Sequence, residues 1–199
     1  MSRSAGIVAF VLIACSVTLG LVMANNLLRR PGLKRSLLKV HEQIALAALV
    51  AILLHGVLLL GDKWLKPGIT GIAIPFTMSY RPVWSGLGIV AGYMAVLVGP
   101  TYFIRRRIGV RRWRQIHRTA AVVYVLGLLH ALNSGTDGAA LWFRSLAVIT
   151  AIPIVVLLAR RYLRSAPRRA PRPATSAPPR PPTTAEPADR PLVAEPGRL

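Results

Sequence analysis

Five apolar stretches, each near the length needed to cross a lipid bilayer, decide what this chain can fold into. They run approximately from Gly6 to Ala24, Leu38 to Leu60, Trp84 to Phe103, Thr119 to Leu132 and Ala139 to Ala159. A helix needs about 20 mostly apolar residues, at roughly 1.5 Å per residue, to cover a ~30 Å hydrocarbon core. The fourth stretch reaches that length if its helix begins around His117, inside the interfacial region. With 53% hydrophobic and 16% charged residues over a length of 199, the chain is too apolar for a soluble domain of this size. Its solvent must be partly lipid. The expected architecture is an all-α membrane protein, a bundle of about five transmembrane helices within residues 1–164.

From residue 165 on, the apolar runs stop and the chain becomes dense in Pro, Ala and Arg. Such a segment cannot bury a core, so residues 165–199 are expected to form a disordered cytoplasmic tail whose basic start touches anionic headgroups. At the other end, Arg3 precedes an apolar run and Val22-Met23-Ala24 loosely resembles a cleavage site, as in a signal peptide. Leu12-Ile13-Ala14-Cys15 also looks faintly like a lipoprotein signal. The run continues past Cys15 and exceeds a usual signal core, which favours a retained helix; its loss would remove no histidine.

The formal net charge of +20 points to membrane orientation and not to nucleic acid, because Lys and Arg sit in short clusters between apolar runs with no basic folded domain to carry them. Arg29, Arg30, Lys34, Arg35 and Lys39 separate the first two stretches, and Arg105, Arg106, Arg107, Arg111, Arg112, Arg114 and Arg118 separate the third from the fourth. Both loops should be cytoplasmic. The loop from Gly61 to Val83 and the one around Asn133 to Asp137 carry little or no positive charge and should face outward. The topology is then multi-pass in the cell membrane, N-terminus outside and C-terminus cytoplasmic, in agreement with Arg160, Arg161 and Arg164 after the last stretch. Trp64, Trp84, Trp113, Trp142, Tyr80, Tyr102 and Tyr162 fall near the expected helix ends, where aromatic belts sit.

The chemistry rests on four histidines, all on the second and fourth stretches: His41 and His55, then His117 and His130. The two helices should run in the same direction, from inside to outside. His41 and His117 then share a layer near the cytoplasmic face, and His55 and His130 share an outer one. A spacing of fourteen is about four helical turns, which puts His41 and His55 on one face with a rise of roughly 21 Å. Imidazoles from facing helices suit the two axial positions of a haem iron, and an iron so filled passes electrons without offering a site for substrate. His41, His55, His117 and His130 are therefore the expected cofactor-binding and metal-ligating residues for two b-type haems; no separate catalytic residue is expected. The single cysteine, Cys15, excludes disulfide frameworks, iron–sulfur clusters and covalently attached haem within this chain. The spacing of thirteen between His117 and His130 fits less well, since an ideal helix leaves those imidazoles about 140° apart. A kink near Gly127, an irregular start around His117, or rotated haem planes would each absorb the difference.

The pattern resembles the ferric-reductase-like transmembrane domain of ferric reductases, NADPH oxidases and the haem-binding membrane subunit of a methionine sulfoxide reductase. The resemblance covers roughly Leu33 to Arg161. It is carried by the His41/His55 and His117/His130 spacings and by the stretch WRQIHRTAAVVYVLGLLHAL, Trp113 to Leu132, including the Trp ahead of the first histidine. It implies transmembrane electron transfer through two haems b, from a cytoplasmic donor to an extracytoplasmic acceptor such as ferric iron, a quinone, oxygen or a periplasmic reductase. The large members of that family continue into flavin and nicotinamide domains, whereas a Pro-rich segment follows here. The chain is thus expected to be an oxidoreductase component served by a separate cytoplasmic flavoprotein. Alternative readings are a haem-free proton or metal-ion transporter, for which Glu42 is the only acidic residue near a helix core, and a membrane anchor or assembly subunit, which leaves the two-layer histidines unexplained.

Supporting roles suggest themselves for a few neighbours. Arg114 or Arg118 inside, and Arg81 or Arg144 outside, are candidates to meet haem propionates. Gly56, Gly92 and Gly127 offer close approach to a macrocycle or simply to another helix. Tyr124 lies between the histidines of the fourth stretch, where ordinary helix contact is the simpler role, and the segment Ile69 to Val83 is apolar enough to roof the outer layer.

Overall fold

In a computed structural model, residues 1–27 and 32–165 are described. Among them every regular element is helical: α1 (Ser2–Ala24), α2 (Leu33–Leu60), α3 (Gly68–Ala73), α4 (Pro82–Val98), α5 (Thr101–Ile108), α6 (Val110–Arg118), α7 (Ala120–Ser134) and α8 (Leu141–Ser165). The segment expected as a tail lies, from residue 166 on, outside the described residues, as do Arg29 and Arg30.

The five apolar stretches form α1, α2, α4, α7 and α8. Of these, α1, α2 and α8 are long and apolar enough to cross a membrane alone, and α4 qualifies together with α5 across a bend of 53°. The bend falls at Gly99-Pro100, where proline lacks the amide proton and crowds the preceding turn. With 15 residues α7 is short by itself, and α6 leads into it through the single residue Thr119.

The surface confirms an all-α membrane protein. Val50 (65% exposed), Leu53 (60%) and Val57 (62%) form one outward row on α2, and Ile149, Ile152 and Val156 form another on α8. In water each such side chain would forfeit about 1.5–3 kcal/mol of burial, whereas lipid tails are as apolar as the side chains themselves.

The inner core is Phe10, Ala14, Tyr124, Phe143 and Ile154. Phe10 of α1 stacks on Tyr124 of α7 at 5.9 Å and tilts against Phe143 of α8 at 5.8 Å. Asn25, buried at the far end of α1, donates from Nδ2 to the carbonyls of Leu21 (2.9 Å) and Leu157 (3.1 Å). Phe10 thus meets Phe143 while Asn25 meets Leu157, so α1 and α8 run parallel. Gly6 lies against His55 and Gly20 against His41, so α1 and α2 are antiparallel.

Tyr124 makes the ordinary helix contact that was its simpler expectation, and its hydroxyl pairs with Thr150 Oγ1 at 3.0 Å. Tyr124→Phe removes only that pair, since Thr150 Oγ1 also bonds the Leu146 and Ala147 carbonyls. It is expected to cost about 0.6 kcal/mol, the average for an interhelical hydrogen bond in a bilayer. Unfolding in a denaturing detergent titration measures this; a loss several times larger would mean that the ring has repacked.

Outside the spans, the Asp62 carboxylate accepts the backbone N–H groups of Leu65 and Trp64, both at 3.0 Å, which holds its pKa below the usual carboxylate value. This turn starts the segment that carries α3 and ends at Arg81, a left-handed residue (φ 46°) placed ahead of Pro82 at the first helical position. The guanidinium of Arg81 reaches the Asn133 carbonyl, tying this segment to the end of α7.

Candidate functional site

The chain's four histidines meet in two pairs. His41 of α2 faces His117 of α6 with ring centroids 6.0 Å apart, and His55 of α2 faces His130 of α7 at 6.4 Å. Lower-numbered meets lower-numbered in both pairs, so α2 and the α6–α7 run are parallel. The ring planes are nearly perpendicular, at 85° and 69°.

These separations carry chemical meaning. With metal–nitrogen bonds of about 2.0–2.1 Å and a ring nitrogen about 1.1 Å from its centroid, a linear nitrogen–metal–nitrogen axis sets two imidazole centroids roughly 6.3 Å apart. Rotation of either ring about that axis leaves the distance unchanged, so perpendicular planes are compatible with it. Among the described residues no three His, Cys, Asp or Glu side chains gather into a metal site. A metal between either pair would take its remaining ligands from a group that is not protein, as a planar macrocycle provides.

The second nitrogen of each ring is also accounted for in three of four cases. Nδ1 of His55 donates to the Ser2 carbonyl at 2.9 Å, and Nδ1 of His130 donates to the Trp84 carbonyl at 3.0 Å. Nδ1 of His41 pairs with the Ser16 hydroxyl at 3.4 Å. A proton held on Nδ1 leaves Nε2 with the free lone pair a metal requires. His117 differs: its Nδ1 is buried without a partner, and its ring stacks on Trp113 one turn earlier, at 5.1 Å and 24°.

Of the three ways to reconcile the thirteen-residue spacing, the structure contains a break at Thr119. His117 belongs to α6 and His130 to α7, and the backbone N–H of Thr119 reaches the Ile116 carbonyl at 3.0 Å, a tightened turn. Gly127 sits inside α7 with no neighbouring atom near its would-be side chain. The histidines therefore occupy three helices, not two.

A cavity of about 710 Å³ surrounds the His55/His130 layer, within the range of cofactor sites. Gly56, Gly92 and Gly127 line it, as does Tyr124, and Gly71, Ile72, Ala73, Met78 and Tyr80 of the outer segment border it. At its rim the lining cation is Arg3, which sequence reasoning passed over as a possible signal-peptide charge and which pairs with Asp137. Arg81 and Arg144 do not line it; they hold the carbonyls of Asn133 and Gly138.

The glycines that touch the imidazoles were also missed. A Cβ on Gly88 would lie 2.4 Å from His130 Nδ1, one on Gly6 would lie 3.0 Å from His55 Nδ1, and one on Gly20 would lie 3.3 Å from His41 Cε1. Only the antiparallel register of neighbouring helices reveals these contacts.

Residues 5–128 match the family described as ferric reductase like transmembrane component. The match covers more than half of the chain and takes in His41, His55 and His117, stopping two residues before His130. No curated protein and no solved structure matches the chain.

Proposed function

The chain belongs to the ferric reductase like transmembrane component family, and from that footing we propose that it carries electrons across a lipid bilayer through two b-type haems, one between His41 and His117 and one between His55 and His130. The observation that supports this most is the pair of centroid distances, 6.0 and 6.4 Å, on either side of the roughly 6.3 Å that a two-imidazole axis requires. A haem held by such a pair of histidines would supply one-electron transfer.

The chain's own residues do the rest. Ser2, Ser16 and Trp84 hold Nδ1 of three histidines and so aim Nε2 of each into its layer. Tyr124, Phe10 and the glycines that line the outer cavity supply part of its mostly apolar wall. The fourteen-residue spacing of His41 and His55 sets the layers about 21 Å apart along α2, enough to span most of the hydrocarbon core.

The basic loops favour an orientation with His41 and His117 toward the cytoplasm. Electrons then enter there from a separate flavoprotein and leave past His55 and His130 to an extracytoplasmic acceptor, the direction being that of the family. In this reading residues 1–164 form the haem-binding domain and residues 165–199 a cytoplasmic tail.

Spectra of the purified protein, oxidised and then reduced with dithionite after expression with ample haem, test the proposal. A low-spin b-type spectrum with two haems per chain is expected; a well-folded, colourless preparation overturns it.

A further inference from the structure

Three of the four histidines sit in the same kind of socket. His55 bonds the Ser2 carbonyl and rests on Gly6, His41 bonds the Ser16 hydroxyl and rests on Gly20, and His130 bonds the Trp84 carbonyl and rests on Gly88. In every case the hydrogen-bond partner stands four residues before the glycine.

The spacing has a physical cause. A helical side chain leans toward the N-terminus and covers the turn before its own Cα. A glycine leaves that turn bare, so the polar atom one turn earlier is open to a ring arriving from the neighbouring helix. A helical carbonyl already bonded within its helix keeps a second lone pair for such a ring N–H.

On α1 the pattern occurs twice, as Ser2-x-x-x-Gly6 and Ser16-x-x-x-Gly20, and the two copies are fourteen residues apart. His41 and His55 are also fourteen apart. Because α1 and α2 run antiparallel, equal spacing on both helices brings both imidazoles into register with both sockets at once. If the small residues of α1 served helix packing alone, nothing would require their spacing to match that of the histidines.

We propose that α1, which carries no histidine, is the orienting helix for both layers, with Gly6, Gly20 and Ser16 as positioning residues that hold His55 and His41 with Nε2 turned toward the haem iron. This rests on the haem reading above. It also gives α1 a role that a discarded leader would not have: its removal would leave all four histidines in place while stripping two of them of their partners. His117, without a socket, depends instead on Trp113.

The test compares the full-length protein with Gly6→Val, Gly20→Val, Ser16→Ala and Ser16→Thr, reading haem stoichiometry, the low-spin electron paramagnetic resonance signal of each haem, and each midpoint potential. Gly6→Val is expected to alter the outer signal alone and Gly20→Val the inner signal alone. Ser16→Ala is expected to weaken inner haem retention about tenfold, the lower end of what loss of such a partner costs, and to raise the inner potential, because an imidazole without its Nδ1 partner is a poorer donor. Ser16→Thr, which keeps the hydroxyl, should restore both. If the wild-type protein holds two haems while these variants keep both signals and potentials unchanged, or disturb both layers alike, the orienting role is overturned and the haem reading stands. If the wild-type protein binds no haem, the haem reading itself fails.

Discussion

His130→Ala should leave about one haem per chain where the unaltered protein holds two, with the survivor in the His41/His117 layer. The two layers share α1 and α2, but their second histidines are separate: His130 is on α7, His117 is on α6, and the break at Thr119 lies between them. In the proposed reading the substitution removes one of the two ligands of the outer haem, and it empties part of a cavity that touches neither inner histidine. The inner pair keeps its 6.0 Å separation and its Ser16 and Trp113 contacts. Electron flow across the whole bilayer should nevertheless fall to background, because the remaining haem reaches only one face. A pyridine haemochrome assay gives the stoichiometry, and vesicles with a trapped acceptor give the flow. Loss of both haems together would show that the layers are not independent.

Gly88→Ala is expected to deprive the outer layer of its haem although it adds only a methyl group. Taken locally, the exchange favours folding, since alanine is better than glycine in a helix interior by about 1 kcal/mol. Any loss must therefore come from the contact. The new Cβ would lie 2.4 Å from His130 Nδ1 and 2.6 Å from its Cγ, closer than real carbon atoms approach, so the ring must leave. Close-packed interiors do not absorb such an overlap by small shifts, and the displaced ring also gives up the Trp84 carbonyl. Loss of a partner of this kind lowers affinity about 10–100-fold. Haem titration with circular dichroism separates the effects: outer haem binding should weaken while helix content and melting stay at or above those of the parent. Parental haem binding in Gly88→Ala would mean that α4 moves aside at little cost.

Much of the fold is legible in the sequence. Apolar runs of bilayer length have one physical use, and the observed helices begin and end within a few residues of them, except where Gly99-Pro100 splits the third. The candidate histidines were legible for a related reason: an ionisable side chain deep in an apolar run is costly without a role, and only His41, His55, His117 and His130 offer imidazoles. Their assignment to two levels followed from helix rise and direction, both of which are local properties.

The surroundings of the imidazoles were not legible in the same way. Gly6, Gly20 and Gly88 look like any other small residues in an apolar helix until the antiparallel register of α1 with α2, and the contact of α4 with α7, puts each under a ring. Arg3 looked like a charge at the start of an export signal until Asp137 was brought beside it. The thirteen-residue spacing is not resolved by sequence because a kink near Gly127, an irregular start around His117 and rotated haem planes satisfy it equally, whereas the structure breaks the helix at Thr119. Helix, span and the level of each histidine are written in periodicity along one chain, and periodicity is a property of neighbours in sequence. Which side of each imidazole is held, and by what, depends on distances between helices far apart in sequence, and those are set only when the bundle packs.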